Sequence, residues 1–178
     1  MNSKKASLRG MVYASMFGAM TALGAYITIP LHPVPITLQS LFSNLAGALL
    51  GGYLGALSQV IYVLLGVMGL PVFAGGKAGL GVLLGPTGGY LIGFVVGTYL
   101  IGKIIEVKEK PGLTRVLFSM IVGHIAIYGL GIIQLSVVAK LSLAKAVAVG
   151  VIPFLAGDAL KIIAAAVIAL KVRDWIKF

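Results

Sequence analysis

Apolar residues run through this chain in stretches long enough to cross a bilayer, and polar or helix-breaking positions separate them. The first stretch, residues 7–29, ends at Pro30 and Pro33, and a short loop over 31–35 follows. Residues 36–70 are apolar throughout, but one helix of that length would run roughly 50 Å, well beyond a hydrocarbon core. Gly51–Gly52 is the natural break, which predicts two helices over 37–50 and 52–68. Residues 69–89 are apolar yet too rich in glycine and proline for a regular helix. Three further helices are predicted over 88–105, 116–138 and 145–170, joined by a charged loop ending at Arg115 and a short loop over 139–144.

Composition excludes an aqueous fold. Of 178 residues, 60% are hydrophobic and 10% are charged, against about 25% charged in a soluble domain. The mean hydropathy is +1.10. With roughly 20 apolar residues per crossing, the length allows about six spans and a single membrane domain over residues 1–178. The basic start at 1–10 runs on without a small-residue cleavage site, which predicts a retained first helix. The chain contains no cysteine, which excludes disulfides and thiolate metal sites.

The net charge of +10 would suggest nucleic acid in a soluble protein, but here its distribution matters more. With six spans, Lys4, Lys5, Arg9, Lys103, Lys108, Lys110, Arg115, Lys171, Arg173 and Lys177 share one side. Only Lys77, Lys140 and Lys145 fall on the other, with Lys161 inside the bundle. The positive-inside rule then places both termini in the cytoplasm and the loop carrying Lys77 outside. The fold class is an all-α, six-helix membrane bundle in the cell membrane. One internal echo, Gly51-Gly52-Tyr53-Leu54 against Gly88-Gly89-Tyr90-Leu91, reads as two helix starts that both need small residues for packing.

Candidate chemistry centres on Asp158 and Lys161, three residues apart inside the apolar run 151–170. Ionisable groups within membrane helices are costly and face the protein interior, and this spacing puts both on one helix face. From spacing alone the pair reads equally as a substrate site or as an ion pair that neutralises itself. Thr37 and Gln39 open the second span, and Tyr90 opens the fourth, where an aromatic is also a normal interfacial anchor. Lys77 sits in the glycine-rich loop as a cap over a ligand or as a solvated lysine. A phosphate-binding loop is excluded, because Pro71 and Ala78 stand where Gly and Ser or Thr are required. Gln59, His124 and Gln134 read as structural polar residues bonding between helices. Hydrolase and metalloprotease motifs are absent, so no enzyme is expected.

Three segments in order, HPVPITLQ (32–39), GLPVFAGGKAGLGVLLGPTGGYLIGF (69–94) and PFLAGDALK (153–161), resemble the BioY proteins. These are the biotin-binding S components of energy-coupling factor (ECF) transporters. The resemblance covers nearly the whole chain. It implies high-affinity capture of extracellular biotin, with Asp158 and Lys161 in the site and Lys77, Tyr90, Gln39 and Thr37 around it. Biotin is then a ligand, with no cofactor. It also implies partners: a transmembrane coupling protein and two cytoplasmic ATPases, in a lipid bilayer, with no nucleic acid. The small-residue stripe Ala14, Gly18 and Ala22 is implicated by the resemblance in docking to the coupling protein; packing within the bundle is the plainer reading. Some members carry a basic residue near the position of Tyr90, so the partner of the biotin carboxylate stays open. The alternative function is a self-sufficient ion-coupled secondary transporter with Asp158 as the ion site.

Overall fold

The computed structural model describes residues 7–175; Lys4, Lys5 and Lys177 lie outside the described residues. Among the described residues the chain is mainly helical. Helix α1 (Leu8–Tyr26) leads to a minimal hairpin of β1 (Thr28–Ile29) and β2 (Ile36–Thr37), paired antiparallel with Thr28 opposite Thr37. Then come α2 (Gln39–Val67), the five-residue α3 (Leu80–Leu84), α4 (Gly88–Glu106), α5 (Leu113–Val138), α6 (Leu143–Gly150) and α7 (Leu155–Val172). Among the described residues four stretches are long and apolar enough to cross a membrane: Gln39–Val67, Gly88–Glu106, Leu113–Val138 and Leu143–Trp175.

α2 is not one rod. At Gly51 the backbone leaves helical geometry, with φ 82° and ψ −176°, a conformation that only glycine adopts without strain. The Gln39 amide donates to the Tyr62 hydroxyl, yet a straight helix would hold those residues roughly 35 Å apart. The halves 39–50 and 52–67 therefore fold back on each other. Glu106 stabilises the reversal: its Oε1 accepts from the Gly52 amide at 2.8 Å, placing an anion where the second half exposes unpaired N–H groups.

The remaining differences from the expected boundaries have local causes. The first helix stops at Tyr26 rather than running to residue 29, because Thr28 and Ile29 pair with β2. The stretch 145–170 is not continuous. Pro153 lacks the N–H that would extend α6, and a 3-10 turn over Ile152–Phe154 starts α7 afresh. The glycine-rich stretch contains α3 and a bridge between Phe73 and Lys77.

Small residues bring the helices together. On α4, a Cβ at Gly89, Gly93 or Gly97 would lie 2.2, 2.7 or 2.7 Å from the α5 backbone at Leu130, Ile127 and Gly123. Without a hydrophobic force between helices in lipid, such close approach supplies the van der Waals contact. The two members of the echoed GGYL motif differ in use: Tyr53 is exposed and Tyr90 is buried, which favours the packing reading over a functional repeat.

The stripe on α1 faces inward. Ala14 and Gly18 are buried and Ala22 is partly so; a Cβ on Gly18 would meet the Ser58 carbonyl of α2 at 2.9 Å. This burial matches the plainer of the two readings of Ala14, Gly18 and Ala22, packing within the bundle. Gly18 packs α1 on α2.

Two apolar clusters divide the bundle. One gathers Leu50, Ile101, Ile105, Val116, Met120, Ala165 and Ala169, at the end where α1 begins and α4 and α7 finish. The other gathers Val34, Tyr62, Phe73, Tyr90, Phe94, Ile127 and Phe154 at the opposite end. The candidate site lies in that second half.

Candidate ligand-binding site

A cavity of about 740 Å³, counting its open mouth, lies among the starts of α2, α4 and α7, the middle of α5 and the glycine-rich loop. Thr37, Gln39, Lys77, Tyr90, Asp158 and Lys161 all line it, although they come from four separate parts of the sequence.

The break at Pro153 sets the floor. It starts α7 inside the bundle, so Asp158 falls in the first turn of a helix, where the helix dipole favours an anion. Asp158 is buried, with its side chain 10% exposed. Its Oδ1 accepts from the Lys161 ammonium at 2.6 Å and from Ser40 at 3.0 Å. Its Oδ2 accepts from the Tyr128 hydroxyl. Lys161 in turn donates to the Thr37 carbonyl at 2.8 Å and to Ser40 Oγ at 3.1 Å. An ammonium has three donors, and all three are engaged. Lys161 therefore holds the carboxylate in place rather than offering a free N–H to a ligand.

The other expected residues take distinct places. Gln39 is buried; it accepts from the Thr37 hydroxyl at 2.9 Å and donates to Tyr62. It thereby braces the two halves of α2 at the cavity wall. Tyr90 presents its ring to the cavity and donates its hydroxyl to the Gly150 carbonyl at 2.9 Å, tying α4 to the end of α6. Lys77 is exposed on the loop at the cavity. Phe73, Phe94 and Phe154 give the cavity apolar walls.

Three polar residues at the floor escape a linear reading: Ser40, Tyr128 and His124. His124, expected as a structural residue, lines the cavity with Nε2 3.8 Å from Asp158 Oδ2. The signal for it was a His and a Tyr four residues apart on one face of α5, which has meaning only once α7 is known to pack there. Gln59 and Gln134 do bond between elements, Gln59 to Thr21 of α1 and Gln134 to the Leu83 and Gly85 carbonyls. Among the described residues no cluster of His, Cys, Asp and Glu could hold a metal.

Comparison with known proteins agrees with this geometry. The model of the BioY family matches residues 1–178. The chain is 45% identical over 166 residues to the biotin transporter BioY of Thermotoga maritima, covering 93% of this chain and 96% of that one. It is 39% identical over 173 residues to a probable biotin transporter BioY of Pyrococcus horikoshii, covering 97% and 98%. A solved structure, the S-component for biotin from an ECF-type ABC transporter, superposes with a TM-score of 0.86 at 29% identity, covering 98% of this chain and 95% of that one. Transporter relatives and long apolar helices together make this a multi-pass membrane protein. A family match from end to end, and the same fold in a solved S-component, establish that the chain belongs to the BioY family.

Proposed function

We propose that this chain captures biotin in the cavity between α2, α4, α5 and α7 and delivers it inward as the substrate-binding component of an ECF-type ABC transporter. The observation that carries the reading is a buried Asp158, paired with Lys161, on the wall of an otherwise largely apolar cavity. Biotin brings a ureido ring with two N–H donors, an apolar fused ring and a carboxylate tail. An ionised carboxylate only accepts hydrogen bonds, so Asp158 suits the ureido N–H groups, and charge-assisted bonds of this kind are the strong ones. Phe73, Phe94, Phe154 and Tyr90 suit the fused ring. Lys77, exposed on the loop, suits the carboxylate.

The chain crosses the membrane six times in this reading, counting α1, the two halves of α2, α4, α5, and α6 with α7. Both termini are cytoplasmic, because Arg9, Lys103, Arg115 and Lys171 gather at one end. Transport energy comes from two partner ATPases through a transmembrane coupling protein, since this chain carries no phosphate-binding loop.

The test is calorimetric titration of the purified chain in detergent with biotin, beside Asp158→Asn. The expected result is saturable one-to-one binding, weakened by about 10–100-fold in the variant, where an acceptor oxygen becomes an N–H₂ group facing ligand donors. Equal affinity in the variant would remove Asp158 from the contact. No binding by the parent chain would overturn biotin as the ligand.

A further inference from the structure

We infer that the Tyr128 hydroxyl holds the place of a ligand N–H on Asp158 and transfers to His124 Nε2 when the ligand arrives. The inference rests on the reading of Asp158 as the acceptor for biotin's ureido N–H groups. Three observations lead to it.

The first is an unpartnered acceptor. His124 Nδ1 lies 3.0 Å from the Met120 carbonyl, which can only accept, so Nδ1 carries the proton. In a neutral imidazole Nε2 is then a bare acceptor. It is buried, and among the described residues it has no hydrogen-bond partner. Its nearest charged neighbour is Asp158 Oδ2 at 3.8 Å, which is another acceptor. A buried polar group without a partner is uncommon enough to require an explanation.

The second is the position of Tyr128. Its hydroxyl donates to the same Oδ2. It sits four residues after His124 on α5, so the two side chains are neighbours on one face, with ring centroids 5.9 Å apart and edge-to-face. A swing of about 20° inside one side-chain well moves a tyrosine hydroxyl roughly 2 Å. A ligand in the cavity cannot touch Nε2, which has no accessible surface; the Tyr128 hydroxyl can turn to it.

The third is the occupancy of Asp158. Oδ1 already receives Lys161 and Ser40. Oδ2 receives Tyr128 alone and is the oxygen at which a ligand donor can enter. When a ureido N–H replaces the Tyr128 O–H there, the hydroxyl would be stranded unless a second acceptor stood ready. His124 supplies it. The exchange strands no donor and satisfies His124 Nε2, which biases the pocket toward ligands that carry an N–H at that point.

The test is a double-variant cycle on the full chain in detergent, read by biotin titration after the parent chain is shown to bind. His124→Leu should weaken binding by about tenfold, since the displaced hydroxyl then has no acceptor. Tyr128→Phe should bind more tightly than the parent, since no hydroxyl then has to leave Oδ2, and adding it to His124→Leu should restore affinity to the Tyr128→Phe level. A tenfold loss in Tyr128→Phe would overturn the proposal by making Tyr128 a ligand contact. A double variant as weak as His124→Leu would overturn it by making His124 act independently of Tyr128. A readout without substitution comes from ¹⁵N-histidine NMR of the parent chain, which has two histidines. The Nε2 resonance of His124 should move from bare to hydrogen-bonded on adding biotin, and a resonance unmoved by saturating biotin overturns the exchange. Failure of the parent chain to bind removes the biotin reading itself, whereas tight binding with either contrary cycle removes only the exchange.

Discussion

Lys161 shows how much of the site is held together by hydrogen bonds within the chain. Its three donors bind Thr37, Ser40 and Asp158, so its substitution acts first on stability. Lys161→Met leaves a buried carboxylate without its counter-charge, a loss of about 3–5 kcal/mol. Its thermal midpoint in detergent is expected to fall by about 10 °C or more. The double variant Asp158→Leu with Lys161→Met should recover most of that loss while binding no biotin. A single variant as stable as the parent would mean that the pair contributes nothing to folding. The sequence marked both residues because charge in an apolar run is conspicuous. It gave no such mark to Ser40 or Tyr128, ordinary residues whose importance comes from lying against Asp158 across 118 and 30 residues of chain.

Among the helices, reversal and close packing depend on a few glycines with measurable consequences. A Cβ on Gly102 would lie 2.2 Å from the Gly51 carbonyl carbon and 2.1 Å from the Gly52 nitrogen, where backbone would have to give way. Gly102→Ala is therefore expected to destabilise the chain by about 1–3 kcal/mol through overpacking. Gly129→Ala, on α5 with nothing within 4 Å, should leave stability unchanged or slightly raised. Thermal melts of the two variants side by side check this; equal midpoints would mean that α4 does not pack on the reversal as described. Gly18→Leu belongs with Gly102→Ala, since its side chain would enter the α1–α2 contact at the Ser58 carbonyl. The break at Gly51 was legible because two adjacent glycines interrupt a run too long for one crossing. The break at Pro153 was not read, although the proline is visible, because the surrounding residues are uniformly apolar and mask the interruption.

The whole molecule predicts a sidedness that can be labelled directly. The absence of native cysteine makes single-cysteine variants unambiguous. Lys110→Cys, in the charged loop, should resist a membrane-impermeant thiol reagent added to intact cells. Lys145→Cys, exposed on α6, should react. The reverse pattern would invert the proposed orientation and turn the cavity toward the cytoplasm. Labelling at both sites would break the six-crossing count, since the two positions are separated by a single crossing through α5.

Hydropathy, charge and motif order by themselves determined that this is a helical membrane protein of the BioY type, and they named six residues that share one cavity. Those features are local or additive: bilayer thickness sets helix length, desolvation makes an intramembrane charge rare, and loop charge sets orientation. Tertiary structure decided the rest. It turned the Ala14–Gly18–Ala22 stripe inward, because only the position of α2 determines which face of α1 is covered. It assigned Lys161 to hold Asp158, because the Thr37 carbonyl of β2 and Ser40 of α2 approach it from more than a hundred residues away in sequence. It brought His124 beside Asp158 with one nitrogen unpartnered. A hydrogen bond needs both partners at about 3 Å, and no pattern along a chain fixes a distance between helices.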